Sequence, residues 1–274
     1  MNIIKKLLSK LVSAFGLLVT TIFVFLPIIW LSLTAFKKAK DAYSTSLFFK
    51  PTFQNYIDIF SEPNTFSQLL TNSVIVALLT ILIAIPVATL AAYALSRFHY
   101  RVKNLLLIWL LSTQFIPPVV IVIPYFVLFR TLHLMDTRIA LVLMNLSFVL
   151  PFATWMIKGF VDGLSITLEE AAFVEGCSFM QVITKITIPL AMPGIITTAI
   201  FTLIQSWNEY LFALILTRKD AITMTVGLNS LVTDRGVIWE QMSAAGIIIM
   251  IPIFIFSFLV RKHFTQGLTL GAVK

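Results

Sequence analysis

No charged side chain interrupts the sequence from Leu11 to Phe36. That run exceeds the roughly 20 apolar residues a helix needs to cross a bilayer. In hydrocarbon every backbone amide must be satisfied inside the segment, which leaves the helix as the open-chain solution. The pattern returns over about 69–95, 104–129, 139–157, 191–217 and 242–260. The expectation is an all-α membrane protein, a single domain over 1–274 with six transmembrane helices, the first at 11–36. Its basic leader (Lys5, Lys6, Lys10) precedes an apolar stretch too long for a signal-peptide core, so the first helix is read as uncleaved.

Composition narrows the function. Hydrophobic residues make up 59% of the chain and charged ones 12%, with a mean hydropathy of +0.97. The net charge of +8 and pI near 9.7 do not point to nucleic acid, because the basic residues are scattered through the loops as membrane flanks. Cys177 has no second cysteine to pair with, and His99, His133 and His263 fall in separate loops, so neither a disulfide nor a metal site is expected. The sequence has no G-x-x-x-x-G-K-[ST] loop to cradle phosphates. No catalytic residues and no cofactor of its own are expected, and the chain is not read as an enzyme.

The strongest polar interruption, Asp162 to Pro189, carries four of the twelve acids and belongs outside the bilayer. Thr167 with Glu170 and Ser178 with Gln181 both fit the capping-box spacing, which predicts two short helices. Gly176 is placed to end the first in a left-handed conformation, and Pro189 to end the second. Within the spans, Gln114 precedes Pro117, Pro118 and Pro124, whose missing amides should kink the third helix. Asn145 lies in the fourth, and the fifth holds Asn208, Glu209 and Tyr210. Glu209 is the charged residue set well inside a span. Such a group either faces a functional cavity or joins helices through hydrogen bonds.

Glu170-Ala171-Ala172, Gly176 and Ile186-Thr187-Ile188-Pro189 together resemble the cytoplasmic coupling loop of ATP-binding-cassette (ABC) importer permeases, although Glu175 stands where relatives often carry Asp. F-F-K-P-T-F-Q-N-Y from Phe48, the prolines of the third span, Trp207-Asn208-Glu209-Tyr210 and the terminal G-L-T-L-G-A-V-K extend the likeness to maltose-type carbohydrate permeases. The resemblance implies the type I importer permease fold in the cell or inner membrane, with both termini, the loop 158–190 and the tail 261–274 cytoplasmic. Lys and Arg divide eleven to nine in favour of that orientation, a margin too small to decide it.

Implied partners are a second homologous permease, two copies of a cytoplasmic ATPase that bind ATP and Mg, an extracytoplasmic solute-binding protein and the bilayer. Glu170, Ala171, Ala172, Gly176, Ile186 and Pro189 would couple to the ATPase. Gly267, Thr269, Gly271 and Lys274 would reach it through the tail. Gln114, Asn145, Asn208, Glu209 and Tyr210 are the candidates for a substrate route or gate. The implied activity is import of a sugar or oligosaccharide, and spans without Lys or Arg favour a neutral solute. A permease for glycerol phosphate or another small polar solute is the alternative. An ion-coupled secondary transporter is disfavoured because no internal repeat is visible.

Overall fold

The structure is a computed structural model that describes residues 2–61 and 66–270, without the side chains of 2–5, 7–9 and 259–270. The helices are α1 (Asn2–Ala35), α2 (Gln54–Phe60), α3 (Phe66–Arg97), α4 (Lys103–Thr113), α5 (Pro118–Thr131) and α6 (Arg138–Asp162). They continue as α7 (Ile166–Val174), α8 (Phe179–Val182), a π turn (Ile183–Thr187), α9 (Ile188–Trp207), α10 (Leu211–Leu216), α11 (Met224–Gly227) and α12 (Trp239–Leu270). Strands β1 (Val232–Thr233) and β2 (Gly236–Val237) form a small antiparallel hairpin.

Among the described residues five helices are long and apolar enough to cross a membrane, and the α4–α5 pair makes a sixth if counted as one span. Large apolar side chains such as Phe15, Leu17, Phe23, Leu82 and Phe258 face outward, the reverse of a water-soluble protein. Hydroxyls inside the spans bond back along their own helix: Thr20 to the Gly16 carbonyl, Thr80 to Val76, Thr89 to Ile85 and Thr198 to Gly194. This satisfies polar groups where water is absent.

The third span departs from the expected kinked helix. It breaks into α4 and α5, which meet at 93°. Pro117 is extended (φ −60°, ψ 130°) and Pro118 starts α5. Two consecutive prolines bias the residues before them away from helical geometry, so the chain turns rather than bends. The fifth span departs too, breaking at Asn208–Tyr210 into α9 and α10. Pro189 does not end the second loop helix as expected. The amide of Ile188 reaches the Ile183 carbonyl through the π turn, and the helix runs on into α9 with Pro189 in its first turn, where a proline is tolerated.

Among the described residues, those up to Phe66 and 228–251 cluster as one compact unit, and 67–227 with 252–270 as another. In the first, Asn55 on α2 donates to the carbonyls of Ala35 and Lys37, both at 2.8 Å, tying α2 to the end of α1. Lys37 is 1% exposed; its ammonium donates to the Ser44 carbonyl at 2.7 Å and lies 4.6 Å from the Trp30 ring centre. In the second unit α6 and α9 are the principal pair. Gly194 allows their approach, since a Cβ there would sit 2.1 Å from the Phe160 ring. Ala84, Ala88 and Ala92 form a buried stripe along α3, the small-residue spacing that lets membrane helices pack closely.

Candidate functional site

The loop after α6 is built as two short helices with different start signals. Helix α7 begins at Ile166, earlier than the capping pattern suggested, so the box between Thr167 and Glu170 is not formed. The Ser165 and Thr167 hydroxyls pair at 2.7 Å instead, and Glu170 is exposed. The second box forms as expected: the Ser178 amide donates to Gln181 Oε1 at 2.8 Å, and the Gln181 amide to Ser178 Oγ at 3.4 Å. Between them Gly176 takes φ +87°, with its amide on the Phe173 carbonyl and that of Cys177 on Ala172. That pair of bonds is the Schellman ending, which needs a residue free of Cβ strain at the left-handed position.

The neighbour of Glu170 anchors the loop. Glu169 is 4% exposed, and its carboxylate joins two other segments of chain, the end of α3 and the π turn. Oε1 accepts from Arg97 Nε at 3.0 Å and from Thr187 Oγ1 at 3.1 Å, with Arg97 Nη2 at 2.9 Å; Oε2 accepts from Tyr93 Oη at 3.1 Å. Arg97 Nη2 also donates to the Leu164 carbonyl at 3.2 Å. The Phe179 ring packs on Tyr93 and Phe98 with centroids 5.6 and 5.8 Å apart. Sequence reasoning missed this cluster because Arg97 read as a membrane flank and Thr187 as a loop residue. The one available signal was helical: Glu169 shares a face with the buried Ala172, three residues on.

Away from that anchor the loop shows an apolar surface. Val174 is 89% exposed, and Leu168, Phe173, Phe179 and Met180 are exposed with it. Ala171 is exposed while Ala172 is buried, and Ile186 is half-buried in the π turn. Contiguous exposed apolar surface marks an interaction site with protein or membrane.

The two broken spans meet. Phe212 of α10 packs on Tyr125 of α5 and Phe148 of α6, with ring centroids 6.4 and 5.2 Å apart. A cavity of about 410 Å³ is lined by Val122, Ile123 and Phe126 of α5, by Leu214 and Ile215 of α10, and by Thr217 and Arg218. Glu209 sits at the break, where its carboxylate accepts from the amides of Phe212 (2.7 Å) and Ala213 (2.9 Å). The free amides at the start of α10 thus find an acceptor inside a span. The Glu209 carbonyl accepts from Thr225 Oγ1 at 2.7 Å. Asn208 and Tyr210 beside it are exposed. Gln114 caps the end of α4 and donates to the Phe148 carbonyl at 3.0 Å, whereas Asn145 is on the buried face of α6.

At the other end of α6, Asp136 organises the turn before it. Its carboxylate accepts from the consecutive amides of Arg218, Lys219, Asp220 and Ala221 at 3.0 to 3.2 Å. Burial pushes this carboxyl up, but those four amides prevail and hold it below the usual carboxylate range. Asn72 of α3 donates to the carbonyls of Asp220 and Ile222 and accepts from Arg138 Nε at 2.7 Å. Of the tail candidates, Gly267 and Thr269 belong to the last turns of α12, while Gly271 and Lys274 lie outside the described residues.

With the geometry in place, comparisons identify relatives. Residues 84–270 match the family described as binding-protein-dependent transport system inner membrane component. The chain is 35% identical to the trehalose transport system permease protein SugB of Mycobacterium tuberculosis, covering 91% of this chain and 92% of that one. It is 31% identical to the trehalose/maltose transport system permease protein MalG of Thermococcus litoralis, covering 98% and 99%. In three dimensions it resembles, with a TM-score of 0.81 at 22% identity over 94% of this chain and 96% of the other, a bacterial ABC transporter involved in the import of the acidic polysaccharide alginate.

Proposed function

We infer, because this chain belongs to the family of binding-protein-dependent transport system inner membrane components, that it is the permease subunit of an ABC importer for sugars. It forms half of the translocation path, beside a second homologous permease. Two copies of a separate ATPase bind ATP and Mg on the cytoplasmic side, and an extracytoplasmic binding protein delivers the solute. The trehalose and maltose systems of its relatives support a sugar, and spans without Lys or Arg support a neutral one.

The observation that carries the ATPase reading is the loop's division into two faces. One face is fixed by Glu169, Ala172 and Ile183; the other presents Glu170, Ala171 and an exposed apolar cluster around Val174. A rigid peg with a free apolar face suits a cleft on a moving partner. Glu170 offers that partner a carboxylate, Gly176 keeps the peg compact, and Ile186 and Pro189 carry its motion through the π turn into α9. At the breaks, Gln114, Asn208 and Tyr210 supply hydrogen-bonding and ring surfaces for a sugar, while Asn145 and Glu209 shape the route. The tail from Gly267 through Thr269, Gly271 and Lys274 adds a second contact with the ATPase.

Glu170→Lys and Gly176→Asp should leave the protein inserted but uncouple ATP hydrolysis from uptake in proteoliposomes. Normal uptake by either variant overturns the coupling role. For the orientation, Ala171→Cys in a Cys177→Ser background should react with an impermeant thiol reagent in inverted vesicles and not in intact cells.

A further inference from the structure

We propose that Arg97 and Glu169 are positioning residues that carry motion of the loop into α3, a helix with which the loop shares no nearby chain connection. The proposal rests on the ATPase-facing reading of the loop. Chain continuity already links α7 to α6 through Gly163, and α8 to α9 through the π turn. Helix α3 ends at Arg97, far from the loop in sequence, yet its last turn grips Glu169 through Tyr93 and Arg97 and reaches the loop backbone at the Leu164 carbonyl.

The geometry favours transmission over simple fastening. A carboxylate held by a guanidinium and a phenol from α3 and by a hydroxyl from the π turn fixes distance and direction at once, which an apolar contact of the same area does not. Thr187 lies within the π turn, and its hydroxyl bonds the same carboxylate, so Glu169 ties α7, α3 and the entry to α9 to one point. Arg97 Nη1 further donates to Ser96 Oγ, which itself donates to Asp162 at the end of α6. Displacing α7 therefore pulls α3, α6 and α9 together rather than sliding past them.

The test uses the assembled transporter in proteoliposomes and reads solute imported per ATP hydrolysed. Glu169→Gln keeps the shape and loses the charge, and Arg97→Gln strands the opposite partner. Each should lower that ratio at least about fivefold, the lower end of typical coupling between sites. The double variant Glu169→Gln/Arg97→Gln should recover part of the loss, because it leaves no unpaired buried charge. A wild-type ratio in Glu169→Gln, or a double variant whose loss is the sum of the singles, overturns the proposal. If Glu169→Gln yields no assembled complex, Tyr93→Phe decides. It keeps the ring against Phe179, and an unchanged ratio there also overturns it. Glu170→Lys separates the two levels: normal uptake by Glu170→Lys defeats the loop reading, whereas uncoupling by Glu170→Lys beside normal coupling in Glu169→Gln defeats this inference alone.

Discussion

The two ends of α6 are each organised by a carboxylate, and the two are held in opposite ways. Beyond the first end, Asp136 is bound by four consecutive backbone amides from one loop segment. Beyond the second, Glu169 is bound by side chains from two distant stretches of chain. Amides in sequence have a single arrangement, so Asp136 locks a loop in place. A guanidinium and a phenol on α3 and a hydroxyl in the π turn move with the elements that carry them, so Glu169 joins those elements to α7 rather than locking one loop. Glu209 belongs with Asp136, since the amides of Phe212 and Ala213 bind it.

The comparison breaks most readily at Arg97. Arg97→Leu leaves Glu169 buried without its charge partner, and losing one member of a buried pair costs about 3–5 kcal/mol. Thermal unfolding of the purified protein in detergent should register the largest drop of the set. A midpoint equal to wild type would mean that Glu169 is not held by charge. Asp136→Ala should cost less, about 1–3 kcal/mol, because the freed amides lie near the surface and water can replace part of what they lose. Its effect should appear in limited proteolysis of 217–225 before it appears in global unfolding.

What the sequence conveyed, and what it withheld, follows the same division. Spans were legible because apolar runs report on lipid, and Gly176 and the Ser178–Gln181 box were legible because caps are local. Glu169 was not. It differs from Glu170 by one position, and only the helical register, set by where α7 starts, decides which acid turns inward. The early start at Ile166 removed the expected Thr167 box and put Glu170 outside. Neither break could be read from proline alone: Pro86 and Pro151 sit inside intact helices, while Pro117 and Pro118 divide a span. Asp136 lay hidden because its partners are backbone amides more than eighty residues away, which carry no residue code.

Acid sharpens the contrast. The folded Asp136 carboxyl lies below its ordinary range, so it contributes stability above the unfolded value near 3.9, and that contribution disappears as pH falls through the folded value. Wild type should therefore lose more stability than Asp136→Asn between about pH 5 and pH 2. Equal slopes in acid would show that the amides do not favour the ionised form.

The smallest expected effect probes whether the π turn depends on Glu169. Thr187→Val keeps the volume and branching of the side chain and removes the hydroxyl that donates to Glu169 Oε1 at 3.1 Å. One hydrogen bond of this kind is worth about 1 kcal/mol net, and Glu169 keeps Arg97 and Tyr93. If the Ile188 amide reaches the Ile183 carbonyl because Pro189 demands a wide turn, Thr187→Val should shift unfolding slightly and leave amide exchange at Ile188 unchanged. Should exchange there accelerate well beyond the loss in global stability, the carboxylate would be what holds the turn open. Glu169 would then shape the entry to α9 as well as join it.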